Sequence, residues 1–271
     1  MDLSAINPVL LIASLMVAAT PLLLAAIGET VVEKAGVLNL GVEGMMIIGA
    51  IAGFATAVES GSPLLGFVAA AIAGAALSVL FALLTQFAQA NQVASGLSLT
   101  LFGLGLSALM GQSYVGVKPP QMGKLDIPVL SDLPVVGPIL FGHDLMLYFG
   151  IALTAAIWAL FKFTRVGLIL RAVGENHDAA HAIGHPVIRI RLAAIAFGGA
   201  MAGLGGAYYS LVLTPLWADQ LTAGRGWIAL ALVVVHMRYR RISFKTILFA
   251  TTCAVAIYVL LQTGRRGPTV A

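Results

Sequence analysis

Seven stretches of this chain are long and apolar enough to cross a lipid bilayer, and that confines the fold more than any other feature. They run at about 8–28, 35–58, 63–86, 93–111, 144–161, 192–213 and 246–262. A helical span needs roughly 20 predominantly apolar residues. Inside hydrocarbon every backbone N–H and C=O must be bonded within the protein, so only helices and closed barrels cross. Barrel strands alternate in polarity and these runs do not, which leaves helices. An eighth run, 226–236 (GWIALALVVVH), is too short to cross alone. It is either re-entrant or lengthened by its neighbours. The expected fold is all-α: a polytopic transmembrane helical bundle of about 7–8 membrane segments, forming a single domain over 1–271.

Composition agrees. Charged residues make up 10% of the chain, against about 25% in a soluble domain. The 30 glycines suit helices that approach closely in lipid, and the Gly49-x3-Gly53 and Gly199-x3-Gly203 spacings are packing signals of that kind. The single cysteine, Cys253, lies in an apolar run and supports neither a disulfide framework nor a cysteine metal site. The first charge is Asp2 rather than a basic cluster, so no cleavable leader is expected and the first apolar run is read as retained.

Charge sets the orientation. A polar island at 162–191, KFTRVGLILRAVGENHDAAHAIGHPVIRIR, holds five of the fifteen Lys and Arg residues (Lys162, Arg165, Arg171, Arg189, Arg191). The segment 237–245, MRYRRISFK, holds four more (Arg238, Arg240, Arg241, Lys245). Basic loops stay on the cytoplasmic side, so both segments are placed inside and two crossings must separate them. The run 226–236 therefore has to help complete one. Counting backwards puts 29–34 inside and the N-terminus outside, provided 35–58 is one full span. The 112–143 loop, with five prolines, two Lys and two Asp, has no inward bias and cannot be one continuous helix. The net charge of +4 reflects this orientation rather than affinity for nucleic acid. Trp217 and Trp227 flank the loop TPLWADQLTAGRG, where an aromatic belt accounts for them.

Three constellations carry polar chemistry. In GETVVEKAGVLNLGVEGMMIIGA (28–50), Glu29, Glu33 and Lys34 mark a break between apolar runs. Asn39 and Glu43 are four apart and share a face if helical. Glu43 would lie about 14 Å past Lys34 on a continuous helix. An intramembrane acid is costly and faces a cavity or a partner, so Glu43 either lines a pathway or hydrogen-bonds neighbouring helix ends. Gly36, Gly41 and Gly44 favour a broken or closely packed helix, as where backbone lines a transporter cavity. Asn91, Gln92 and Ser95 open the fourth span, as solute contacts or as an N-cap with interfacial dressing. In the island, His177, His181 and His185 recur every four residues. HDAAH is close to the zinc pattern H-E-x-x-H, but the third ligand is lacking, Gly184 and Pro186 break the helix, and the basic surroundings oppose a cation. No metal site is expected. A short amphipathic helix at about 175–183, with Ala179, Ala180 and Ile183 on one side, reads instead as a docking element for a soluble partner. No G-x4-G-K-[ST] loop occurs, so any ATP belongs to another chain.

Four motifs occur in one order: EKAGVLNLGVEGMMIIGA (33–50), NQVASGLSLTLFGLGLSALMGQSYVG (91–116), RAVGENHDAAHAIG (171–184) and FGGAMAGLGGAYYSL (197–211). Together they resemble the permease subunits of bacterial ABC importers of the ribose/branched-chain amino acid type, in the simple-sugar and nucleoside branch. The resemblance covers about 20–235; residues 236–271 form an atypical C-terminal segment. It implies a multi-pass protein of the bacterial inner membrane that forms the pathway for a small polar solute, with Asn39, Glu43, Asn91, Gln92 and Ser95 as candidate pathway residues. It also implies a cytoplasmic coupling helix that inserts into an ATP-binding subunit, carried by Gly174, Glu175, Asn176, Asp178, Ala179, Ala180 and Gly184. His177 and His181 stand where the family often has Pro and Arg. The implied partners are an ABC ATP-binding subunit, a second homologous permease subunit, a periplasmic or lipid-anchored solute-binding protein and the lipid bilayer. No cofactor is implied for this chain, ATP being bound by its partner. Two other readings fit the residues: an ion-coupled secondary transporter with Glu43 as its ion site, and a structural or truncated, non-functional permease.

Overall fold

The computed structural model describes residues 8–125, 137, 139 and 141–238. The candidate span at 246–262 and most of MRYRRISFK lie outside the described residues. The described chain is helical: α1 (Pro8–Lys34), α2 (Val42–Ser60), α3 (Pro63–Ala82), α4 (Gln92–Gly111), α5 (Leu145–Phe163), α6 (Arg165–Glu175), α7 (His177–Ala182), α8 (Val187–Tyr208) and α9 (Arg225–Arg238). Wide π-type turns extend α3 through Leu83–Phe87 and α8 through Tyr209–Leu213. Six of these helices are long and apolar enough to cross a membrane. With α9, that makes seven membrane segments among the described residues.

Two boundaries differ from the sequence expectation. The polar residues 29–34 are the last turns of α1 rather than a break, and α1 runs unbroken to Lys34. The second span begins at Val42, not at 35. The chain leaves α1 through a Schellman cap. Gly36, at φ +77°, lets its N–H bond the Glu33 carbonyl (2.9 Å) and the Val37 N–H bond the Val32 carbonyl (3.3 Å). That left-handed position suits glycine, and the motif satisfies carbonyls that the helix end leaves open. The chain then runs through a non-helical stretch before α2 starts.

α8 is the axis of the bundle. Its glycine series lets α1, α2 and α3 approach at backbone distance. A Cβ on Gly49 of α2 would strike the Gly203 backbone, and one on Gly74 of α3 would strike Gly199 and Gly203. A Cβ on Gly28 of α1 would lie 2.8 Å from the Gly198 carbonyl oxygen. Both sequence spacings are thus packing faces. The buried apolar residues of α2, with Leu24, Phe67, Phe81 and Ile195, fill the space around this axis.

One end of the bundle gathers the close of α1, the π turn after α3, α6 and the start of α8. Gly174 packs on the Lys34 carbonyl and Gly36. Arg191 Nε donates to the Ala35 carbonyl (3.1 Å) and its guanidinium reaches Gln86 Oε1 (3.5 Å). The island is at this end, and the positive-inside rule assigns such a basic end to the cytoplasmic side. At the outer end Tyr114 donates to Glu59, and Tyr208 donates to Asp144 Oδ2 (2.5 Å). α9 returns to the inner face: His236 and Met237 line the same cavity as Lys34, Arg171 and Glu175. The short run therefore completes its crossing together with the irregular residues 214–224. Trp217 is not part of a belt. It is 2% exposed and packs beside Phe54, with ring centroids 6.4 Å apart.

Candidate functional site

The interrupted segment after α1 is where buried polar groups converge. Asn39 and Glu43 do not share a helical face, because Asn39 precedes α2 and only Glu43 is in its first turn. For the same reason, depth measured along a continuous helix does not apply to Glu43. Both residues are buried. Asn39 Nδ2 donates to Glu29 Oε1 (3.0 Å), and its Oδ1 accepts from the Gly41 N–H (3.0 Å). Asn39 thereby fastens the non-helical stretch to α1 and opens the turn into α2. The Leu40 carbonyl accepts from Thr100 Oγ1 and from Trp227 Nε1, each at 3.2 Å. Non-helical backbone inside a bundle needs such partners.

Glu43 faces the start of α9. Its Oε1 accepts from Thr222 Oγ1 (2.5 Å) and the Gly224 N–H (2.8 Å), and its Oε2 from the Gly226 N–H (2.6 Å). The first amides of a helix have no intrahelical acceptor, and an acidic group there is stabilising. Gly226 allows this approach, since a Cβ there would lie 2.8 Å from Glu43 Oε2. Glu43 hydrogen-bonds a neighbouring helix end, joining the beginnings of α2 and α9.

The α4 candidates lie beside the same stretch. Gln92 Oε1 accepts from the Leu38 N–H (2.9 Å). Asn91 is exposed and caps α4, accepting from the Val93 and Ala94 N–H groups at 2.9 and 3.1 Å. Ser95 is 8% exposed, and Gly96 next to it abuts Leu40 and Gly41. Asn39 therefore lies within the 37–41 stretch, Gln92 bonds it, Ser95 adjoins the Gly96 contact, Glu43 stands just beyond it, and Asn91 sits at the margin.

The island forms two helices rather than one at 175–183, because Asn176 interrupts it. Asn176 Oδ1 accepts from the Ala179 N–H (2.9 Å) as the N-cap of α7. Gly184, at φ +92°, closes α7 with a second Schellman cap. Its N–H bonds the His181 carbonyl (2.9 Å), and that of His185 bonds the Ala180 carbonyl (3.1 Å). Ala180 is buried beneath α7. Ala179 and Ile183 are exposed instead of sharing its side. Glu175 and Asp178 are also exposed. His177 and Asp178 pair at 3.5 Å on the surface. Among the described residues no three His, Cys, Asp or Glu gather to hold a metal ion.

Sequence reasoning missed Arg191, Asp144, Tyr208 and Thr222. Asp144 was findable: an Asp directly before an apolar run is a helix-start signal, and its Oδ1 does accept from the Leu147 N–H (3.0 Å). The others act through contacts 64 to 179 residues apart, which no local pattern reveals.

A family model described as "Branched-chain amino acid transport system / permease component" matches residues 11–267. The chain belongs to this permease family. The match extends beyond 20–235, where the motifs themselves are legible. The permease is 41% identical over 221 residues to a Haloferax volcanii protein provisionally named a glucose ABC transporter permease (TsgC13), covering 80% of this chain and 67% of the relative. It is 33% identical over 249 residues to the guanosine ABC transporter permease NupQ of Bacillus subtilis, covering 86% and 77%. It is 32% identical over 237 residues to the nucleoside ABC transporter permease NupC of Lactococcus lactis, covering 83% and 74%. No solved structure matches the permease. It is a multi-pass membrane transport component.

Proposed function

We propose that the permease forms part of the membrane pathway of an ATP-driven importer in a bacterial plasma membrane, and that its solute is a nucleoside or a simple sugar. The observation that carries the solute class is the identity of 32–41%, over most of the chain, to permeases named for glucose, guanosine and nucleosides. The neutral polar groups around 37–41 suit such a solute. Gln92 and Ser95 carry hydrogen-bonding atoms without a fixed charge, and Asn39, engaged with Glu29 and Gly41, holds the backbone beside them.

ATP hydrolysis falls to a separate ATP-binding subunit, which docks on the exposed Glu175, Asn176, Asp178 and Ala179. A second homologous permease completes the pathway, and a periplasmic or lipid-anchored solute-binding protein delivers to it. Capping at both ends makes α7 a stiff element. Its motion passes through Gly174 to the close of α1 and through Arg191 to Ala35. From there Asn39 and Glu43 carry it to α2 and α9.

The test is uptake by cells expressing the permease together with its partner subunits, supplied with labelled guanosine, glucose or leucine. Guanosine or glucose uptake is the expected result. Uptake of leucine alone would overturn the solute assignment.

A further inference from the structure

α9 begins deep in the bundle. Gly226 in its first turn bonds Glu43, and His236 near its end lines the inner cavity with Lys34. The ten residues between them, at about 1.5 Å each, put the start of α9 about 15 Å above the inner end. That is near the middle of a hydrocarbon layer about 30 Å thick. Non-helical backbone reaches this depth in the open. Ala223 is exposed at φ +45°, and Gly224 follows at φ +83° and is half-buried. Arg225 is half-buried too, held by a bond from Nη1 to the Leu221 carbonyl (2.7 Å) and by the Tyr209 ring, whose centre lies 4.5 Å away. Irregular backbone at membrane depth is tolerated only against protein or a water-filled cavity, and an arginine there has the same requirement. The open side of the α9 start therefore does not face lipid.

Trp227 stands at this place and is 42% exposed. The depth is too far from either membrane surface for an aromatic belt. Its Nε1 donates to the Leu40 carbonyl (3.2 Å). That N–H is the only polar group of an indole, so the exposed part of the ring offers a flat π surface and nothing else. Small residues leave it clear. Ala231, exposed one turn further along α9, carries only a methyl group, and a Cβ on Gly224 would lie 4.0 Å from the ring. Leu40 belongs to the unwound stretch whose Leu38 N–H bonds Gln92. The edge of the ring is thus fixed to the backbone beside the candidate pathway residues.

We infer that Trp227 is a stacking platform in the solute pathway, and that it takes the base of a nucleoside in preference to a sugar. This rests on the transport function proposed above and narrows its solute class. A flat surface whose one donor is already spent pairs with another flat ring, and such a stack accepts any base because every base has a π face. A sugar is held chiefly through its hydroxyls, which this ring does not bond.

Equilibrium binding of labelled guanosine and glucose to the purified permease, assembled with its ATP-binding subunit, tests this, with tryptophan fluorescence read in parallel. Guanosine should bind and quench the fluorescence. Trp227→Leu should bind guanosine about 30-fold more weakly. Trp227→Phe keeps a flat ring and should bind nearly as tightly as the unaltered chain, yet lose most of the guanosine-dependent quenching. Trp158→Phe, altered at an exposed position on α5, should keep both. A Trp227→Leu complex that stays assembled on size-exclusion chromatography and binds guanosine as the unaltered one does would overturn the platform, while transport by the chain still stands. Failure of guanosine and glucose uptake in the cellular test would instead remove the function on which the platform rests. Loss of assembly in Trp227→Leu, with no quenching by guanosine in the unaltered complex, would overturn the platform and make this face a contact between subunits. Glucose binding that depends equally on Trp227 would overturn the preference for a base.

Discussion

Replacing Glu43 by Gln keeps the shape of the side chain and removes one of its two acceptor oxygens. Three donors converge on the carboxyl group: the Thr222 hydroxyl and the Gly224 and Gly226 N–H groups. With the amide oxygen toward Thr222 and Gly224, the NH₂ confronts the Gly226 N–H. With the amide flipped, Gly224 is the one left without an acceptor. Either way a backbone N–H at the start of α9 loses its acceptor. Glu43 is 3% exposed, so water does not replace it. Losing a charge-assisted bond and stranding the donor costs about 2–4 kcal/mol. At the scale of a domain this size that is about 5–10 °C in Tm. Thr222→Val removes the hydroxyl alone and should cost about 1 kcal/mol. The assay is thermal unfolding of the purified protein, paired with uptake. A Glu43→Gln protein that melts with the unaltered chain and transports fully would refute the brace. Unchanged melting with weakened solute affinity would make Glu43 a solute contact instead.

Gly203→Val drives a side chain into Ala70 and Gly74; it should cost about 3 kcal/mol and abolish accumulation of folded protein, read by size-exclusion chromatography. Gly105→Ala, where nothing lies within 4 Å, should be tolerated. Tyr208→Phe leaves a buried Asp144 oxygen without its donor and should cost about 1.5–3 kcal/mol, seen as a lower melting temperature. Glu175→Arg and Ile183→Asp alter the exposed surface around α7, where Ile183 is 73% exposed. They should abolish uptake while membrane insertion, followed by quantitative blotting, is unchanged. Gly174→Pro is a poorer test of docking, because Gly174 also packs on the Lys34 carbonyl.

The helical spans were legible in the sequence because apolar length is a local property. The spans at 63–86 and 93–111 start within one residue of α3 and α4. The glycine spacings were legible too, since small residues at helical period have few other uses in lipid. The unwound stretch before α2 was not. Apolar residues such as Val37, Leu38 and Leu40 look the same in a helix as in an extended segment. What decides between them is a cap at Gly36 and partners on α4 and α9 far along the chain. The role of Glu43 was half legible. Its burial could be inferred from its cost, whereas its partners lie 179 to 183 residues away. In the island, Asn176 and Gly184 stand out in the sequence only as motif residues. Their structural work as the two caps of α7 explains why a six-residue helix holds its shape.

The most direct test of the account is transport by purified complexes in proteoliposomes, with the ATP-binding subunit present and no ion gradient. The account predicts solute accumulation that requires ATP and is lost with Glu175→Arg. Accumulation driven by a proton or sodium gradient, without ATP and without the second subunit, would contradict it.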